Sequence, residues 1–510
     1  VKYFNLDEAS ACQAHASLHY DNTMLAEIIT ATQAALATGP AAWQVTITPR
    51  NVHCIESLLL MAGISGCELA VVPAPELNDR ERAFLEDVLA HRGQPACAQA
   101  SRSGTGVYLD FARAYLKVLP GMLPAALRPR KDVRDRQFRH ATLIGGFGGE
   151  HIGDIAGLGG VLLRLQQQLG VTAASLFSQR PQYTRHLAAH LDLPVTLEVL
   201  PWQPAALQRE LKKAGLLVQA GGQIMDLPPA MLRQLGAIYT ARRRGRPVLL
   251  EGVDIGPFHY KPSRWVARRI VQAADRITLR TPGSAQNPVL ERLDFSTGQD
   301  PAFEYLATRR KLGRLAARER ISVDALLENT EDHIIVGINM RPLRHFSGSP
   351  GEPYSRTMEE RIFQHLAVAM TDYARLAPAP VTYIFFPVNL LQDGCSDLAA
   401  AWRLHRMLHR GLDLRIWEAD PDIDALLYLL RNLDMVLAMR FHACIFAMSQ
   451  GRPTIGIDYD IGAGGKVLQL FRDRELVEDV RRLNEADIHF MVERLLKNQP
   501  GGNNHPDMYP

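Results

Sequence analysis

From Ala141 onward the chain alternates short apolar runs with stretches of helical spacing. ATLIGG (141–146), TAASLFS (172–178), GLLVQAGG (215–222) and RPVLLEGVDIGP (246–257) have strand length and end in glycine or proline, and RITLRTPGS (276–284) is a fifth such run. Between them GLGGVLLRLQQQL (157–169) and HLAAHL (186–191) repeat apolar residues every three or four positions, the helix period. The pattern restarts at HIIVGINMRP (333–342) and continues through VTYIFFPVN (381–389), LRIWEA (414–419), DMVLAM (434–439) and PTIGIDY (453–459). Helical stretches at 359–376, 398–408 and 422–433 intervene. Strand–helix alternation of this kind builds parallel sheets covered by helices on both faces. The expected class is therefore α/β, with two tandem parallel-sheet lobes at 141–330 and 331–495. A small α/β accessory domain at 1–124 precedes them. A basic connector at 125–140 joins it to the first lobe, and 496–510 forms a flexible tail without apolar pattern.

Composition narrows the class. At 510 residues the chain exceeds one ordinary core. With 47% hydrophobic and 22% charged residues it reads as a globular protein. A formal charge of +3 is too small at this length to imply a nucleic-acid partner, so an anionic partner must be met locally. No apolar stretch approaches the ~18 residues that span a bilayer. VKYFNLDEAS at the start lacks the apolar segment of a signal peptide, and a cytoplasmic location is expected. The six cysteines show no CxxC spacing and the histidines no HExxH, so neither a disulfide framework nor a metal is expected. The connector AALRPRKDVRDRQFRH reads as a solvated linker, with contact to an anionic membrane face as a second reading.

In parallel sheets, ligands sit beyond the carboxyl ends of strands. That rule draws attention to Arg440-Phe441-His442, a polar joint between the apolar runs DMVLAM and ACIFAMSQG. Read as the turn between a strand and a helix, it offers unpaired helix amides and a bidentate guanidinium to an anion, with an imidazole beside them. The bland alternative is an arginine capping carbonyls and a histidine satisfied in the core. LIGGFGGEHIGD (143–154) follows the first strand with glycines that allow close backbone approach, and Asp154 stands at the helix entrance as a cap or an acid/base. It has neither GxGxxG nor a Walker lysine, so nucleotide binding does not follow. GVDIGPF ends another strand at Gly256, and Arg280 closes RITLR as a phosphate ligand or a surface residue.

Taken in order, these pieces resemble the polysaccharide pyruvyl transferase family over about 141–475. They are Gly145, Gly146, Gly153 and Asp154; VQAGG; GVDIGPF; Arg276, Arg280 and Ser284; DPAFEYL (300–306); GINMR (337–341); FFPVN…DGCSD (385–397); AMRFHACIFAMSQGRPTIGIDYD; and Lys466. The resemblance implies two Rossmann-like lobes similar to GT-B glycosyltransferases, with the ligand in a cleft between them. It implies transfer of pyruvate from phosphoenolpyruvate, a co-substrate and not a cofactor, to two hydroxyls of a sugar or lipid-linked glycan. His442 is then the general acid/base, Arg440 and Arg280 hold phosphate or carboxylate, and Asp154 orients an acceptor hydroxyl. Gly145, Gly146, Gly256, Asn339, Tyr459 and Lys466 complete the expected substrate-binding set.

The chain departs from the family pattern in three places. Thr281 follows Arg280 where the family has Asp, DIGAGG separates Tyr459 from Lys466, and Glu150-His151 replaces the usual asparagine. Residues 45–91 are similar to a fragment of acyl-adenylating enzymes, and SRSGTG (101–106) lacks the Pro-Lys-Gly that would complete a nucleotide loop, so an accessory domain without ligase activity is expected. ARRRGR (241–246) reads as a solvated helix end, and 342–357 as a mobile loop over the cleft in which Arg344 and His345 could touch substrate. Two other functions fit the same architecture. One is a glycosyltransferase gripping a nucleotide sugar with Glu418 or Asp420, and the other is a non-catalytic binding protein.

Overall fold

The computed structural model describes residues 3–6, 42–47, 52, 55, 68–77, 79–90, 132–133 and 136–500, the last stretch with breaks at 150, 190, 225–227, 257, 259–260, 313–316, 344–355, 390–396, 409–410, 418–421 and 460–464. By its internal contacts the chain divides into two units, 101–313 and 1–100 together with 314–510.

Near the N-terminus β1 (Tyr3–Leu6), β2 (Ala42–Ile47) and β3 (Glu68–Pro73) form a three-stranded parallel sheet, followed by helix α1 (Asp79–Ala90). The SRSGTG stretch and most of the basic connector lie outside the described residues.

The 101–313 unit contains β4 (His140–Ile144), α2 (Ile152–Leu169), β5 (Ala173–Ser178), α3 (Pro181–Ala188), β6 (Thr196–Pro201), α4 (Pro204–Lys213) and β7 (Leu216–Ala220). The short β8 (Gln223–Ile224), α5 (Pro228–Arg243), β9 (Val248–Ile255), α6 (Lys261–Gln272), β10 (Arg276–Leu279), β11 (Ser296–Thr297) and α7 (Pro301–Leu312) complete it. The sheet order is β6-β5-β4-β7-β9-β10-β11, with β8 paired to β9 and every pair parallel. In chain order the first six strands of that path run 3-2-1-4-5-6, the doubly wound Rossmann order. Strands β4, β7 and β9 are almost wholly buried because helices cover both faces. Leu235 and Ile238 of α5 and Val266 and Ile270 of α6 pack on one of them. Edge strand β6 was not expected from the sequence. Its half-exposed face and charged Glu198 hide the apolar run that marks a central strand.

Helix α2 starts earlier than the helical spacing from Gly157 suggests, at Ile152, so Gly153 lies inside it and not in the preceding loop. Interior glycines cost about 1 kcal/mol each against alanine. Here they admit α7: a β-carbon on Gly160 would stand 1.8 Å from the Pro301 carbonyl oxygen, and one on Gly159 would meet the Tyr305 ring at 2.6 Å. Gly160→Ala is therefore expected to destabilise this unit by roughly 1–3 kcal/mol through overpacking, read as a lower urea midpoint. An unchanged midpoint would mean that α2 and α7 can separate without cost.

The second lobe follows α8 (Ala317–Leu327). It comprises β12 (Ile334–Asn339), α9 (Arg356–Leu376), β13 (Val381–Phe385), α10 (Asp397–Met407), β14 (Asp413–Ile416) and α11 (Ile423–Arg431). Then come β15 (Met435–Ala438), α12 (Phe441–Ser449), β16 (Thr454–Asp458), α13 (Lys466–Asp473), β17 (Val480–Arg482) and α14 (Ile488–Asn498). The order β14-β13-β12-β15-β16-β17, all parallel, is again 3-2-1-4-5-6. Its core joins the β12, β13 and β15 side chains to Phe363, Leu366 and Met370 of α9 and Met491 and Leu495 of α14. Helix α14 extends to Asn498, and 501–510 lie outside the described residues.

Candidate active site

A doubly wound sheet opens a crevice where its strand order reverses, because the connections after its first and fourth strands leave in opposite directions. In the C-terminal lobe those strands are β12 and β15, and the residues at their carboxyl ends are Asn339 and Arg440. Arg440 is the N-cap of α12, so the helix starts at Phe441 and His442 lies in its first turn, not in the joint before it. Apolar Phe441, Cys444 and Ile445 draw the helix onto the sheet from its first residue. Arg440 makes no side-chain cap. Its Nε donates instead to Asp397 Oδ1 at 2.6 Å, and its backbone N–H donates to Asn339 Oδ1 at 3.3 Å.

Asp397, the first residue of α10, is fully buried. Its other oxygen accepts the backbone N–H groups of Val388 at 3.0 Å and Asn389 at 3.1 Å, and Asn339 Nδ2 at 3.4 Å. Asn339 Nδ2 also donates to the Phe386 carbonyl at 2.9 Å. One carboxylate thereby ties the ends of β12, β13 and β15. Arg440 and His442 are each 5% exposed. The imidazole stands edge-on to the Phe441 ring with centroids 5.2 Å apart, within the turn whose amides have no intrahelical acceptor.

Beside this joint, β16 ends at buried Asp458, and half-buried Tyr459 follows it. The Arg341 guanidinium, just past β12, lies over the Tyr459 ring at 4.8 Å. Lys466 is the first residue of α13, behind an N-cap glycine. That glycine is required: a β-carbon on Gly465 would fall 1.8 Å from the Asp458 carboxylate, which accepts the Leu468 N–H and so holds the helix start. Asn339, Arg440, His442, Tyr459 and Lys466 are thus gathered along one sheet edge of one lobe.

The remaining expected residues belong to the 101–313 unit. Gly145 and Gly146 follow β4 at that sheet's own switch point, beside the end of β7. A β-carbon on Gly145 would press on Phe147 at 2.6 Å and on the Ala220 carbonyl at 3.1 Å, whereas one on Gly146 meets nothing within 4 Å. Asp154 completes a capping box: it accepts the His151 N–H at 3.2 Å while His151 Nδ1 accepts the Gly153 N–H at 3.2 Å. Gly256 turns the chain after β9 with a φ of +74°, a conformation that favours glycine.

For Arg280 the reading from sequence offered a phosphate or the surface. The structure gives it two carboxylates. Its Nε donates to Asp254 at 2.5 Å and its Nη1 to Asp300 at 3.1 Å, all three side chains being buried. Burial alone would lower the guanidinium pKa, but Asp254 and Asp300 more than offset this and the net shift is upward. The Asp300 pKa is raised too, against the usual direction for an ion-paired carboxyl group: burial raises it further than Arg280 lowers it, and Asp254 and Asp154 add repulsion. Thr281, where the family has a carboxylate, donates its hydroxyl to Asp254 at 2.6 Å.

Sequence reading missed Asp397, Asp254 and Asp300 as members of these networks. Asp397 and Asp300 stood inside quoted motifs and Asp254 inside GVDIGPF, but nothing in their spacing names Arg440 or Arg280 as their partner. In the arginine cluster 241–246, Arg242 is buried and pairs with Asp275 at 3.3 Å, so only part of that helix end is solvated. Glu150, Arg344, His345, Glu418, Asp420 and DIGAG (460–464) lie outside the described residues.

Two doubly wound parallel-sheet lobes define an α/β protein of GT-B-like fold. The family profile for polysaccharide pyruvyl transferase matches residues 151–461, and the chain belongs to that family. It is an enzyme of the transferase class, and its acceptor is a sugar or glycan. No curated protein matches the sequence. Among solved structures it is similar to the UDP-GlcNAc 2-epimerase of Methanocaldococcus jannaschii, at 10% identity and a TM-score of 0.51, over 72% of this chain and 95% of that one. It is also similar to UDP-GlcNAc 2-epimerase from Neisseria meningitidis, at 13% identity and a TM-score of 0.47, over 70% and 90%. A third is E. coli ADP-heptose lps heptosyltransferase II, at 11% identity and a TM-score of 0.39, over 70% and 97%. At these identities the likeness concerns the fold alone.

Proposed function

We propose that the enzyme moves pyruvate from phosphoenolpyruvate onto two hydroxyls of a sugar or lipid-linked glycan, forming a cyclic ketal and releasing phosphate. The observation that carries this reading is the C-terminal switch point, where Arg440 and His442 stand at the start of α12 beside Asn339. Protonation of the enol methylene makes it a methyl group and leaves an oxocarbenium-like centre at the neighbouring carbon. One acceptor hydroxyl adds there, and a second displaces phosphate. Of the two hydroxyl protons released, one replaces the proton given to the methylene and the other leaves with phosphate or solvent. His442 serves as the general acid and base. Arg440, with the amides of α12, holds the phosphate or carboxylate and stabilises charge in the transition state. Tyr459 and Lys466 line the donor side. In this reading Gly145, Gly146 and Gly256 bind substrate and Asp154 orients an acceptor hydroxyl. Among the described residues no helix is long and apolar enough to cross a membrane. In this reading a lipid-linked acceptor is met at the inner membrane face through the basic connector.

The melting temperature is expected to rise with millimolar phosphoenolpyruvate and not with nucleotide sugars, measured by differential scanning fluorimetry. The reverse pattern would replace this reading with that of a nucleotide-sugar glycosyltransferase. A mass increase of one pyruvate unit identifies the acceptor.

A further inference from the structure

Arg440 cannot orient itself. Its side chain has four rotatable bonds, and a guanidinium that recognises a planar anion needs its fork aimed within tens of degrees. One constraint on it is the 2.6 Å bond from Nε to Asp397, a carboxylate with no exposed surface. Asp397 is itself immobilised by three further donors: the amides of Val388 and Asn389 beyond β13, and the Asn339 side chain at the end of β12. Asn339 closes the circuit by accepting the Arg440 backbone N–H. The carboxylate therefore converts the positions of β12 and β13 into the direction of a side chain carried by β15.

We infer that Asp397 is the positioning residue of the anion site, acting on the donor only through Arg440. This rests on the reading of Arg440 as a donor ligand. A carboxylate also cancels one positive charge beside a site built for an anion. That arrangement weakens attraction at long range, and it makes sense where direction matters more than charge.

The experiment is a double-mutant cycle on the full chain, with Asp397→Asn, Arg440→Gln and the double variant. Asparagine keeps an acceptor for the Val388 and Asn389 amides, but it can turn its amide hydrogens toward Nε and break the hold on Arg440. Asp397→Asn is expected to raise the KM for phosphoenolpyruvate by roughly tenfold to a hundredfold. In the Arg440→Gln background the same change should add less than about twofold. A merely structural role would give effects that multiply, together with a lower melting temperature, and would overturn the inference. So would an unchanged KM in Asp397→Asn. Should Asp397→Asn fail to fold, Asp397→Glu retains the charge and displaces the guanidinium by one methylene; it must show the same KM increase and the same loss of effect without Arg440. If the wild-type enzyme neither binds nor turns over phosphoenolpyruvate, the functional reading has failed by itself. The cycle is then run on the Kd for inorganic phosphate, where non-additivity supports the positioning role. Multiplying effects, or the absence of any phosphate binding, overturn it.

Discussion

Replacing His442 with alanine is expected to reduce phosphate release from phosphoenolpyruvate by about 10²–10⁴-fold, the usual contribution of a general acid–base group, while the melting temperature changes by only a few degrees. The reaction must put a proton on a carbon and take protons from two hydroxyls, and His442 is the titratable side chain in the first turn of α12, two residues from Arg440. The competing reading is a core histidine that satisfies a buried polar neighbour, the residue being 5% exposed. The two differ in where the damage falls. Loss of an acid–base group lowers kcat and leaves folding intact, whereas loss of a packed core ring lowers stability first. A stopped-flow phosphate assay beside a melting curve separates them, and a collapse in stability with proportionate loss of activity would remove His442 from the mechanism.

For Arg280 the opposite partition is expected. Arg280→Met keeps much of the side-chain volume and deletes the charge, leaving Asp254 and Asp300 buried without their shared cation. Breaking a buried ion pair from one side costs about 3–5 kcal/mol, which lowers the melting temperature by roughly 10 °C in a unit of this size. The deficit should narrow as pH is lowered. Orphaned carboxyl groups have folded-state pKa values above their unfolded ones, so their protonated form favours folding, and stability is lost as pH rises through the folded values. If Arg280→Met melts like the wild type at every pH and loses activity alone, Arg280 belongs to the donor site and the carboxylates are not its main partners.

These two arginines show how far sequence reading reaches. Both were found as polar residues closing an apolar strand, a local pattern that consecutive residues display by themselves. Both were assigned an anionic ligand, since an isolated guanidinium at a strand end suggests one. What each guanidinium touches depends on carboxylates 20, 26 and 43 residues away in the chain. Periodicity carries no information at that separation. The helical run was read from Gly157, after the observed start at Ile152, for a related reason: Gly153 lowers helix propensity locally, and the His151–Asp154 capping box that starts the helix is seen only in the structure.

The apolar rhythm of the chain was enough to determine an α/β protein with two parallel-sheet lobes, because strand and helix periods are local properties of consecutive side chains. The ordered motifs likewise determined the transferase family. Strand order could not be read that way, since it arises from which strands pair once the chain has turned back on itself. It makes β12 neighbour β15 and brings Asn339, Asp397 and Arg440 to one edge. Tertiary structure alone decided that Arg280 donates to two aspartates and Arg440 to one.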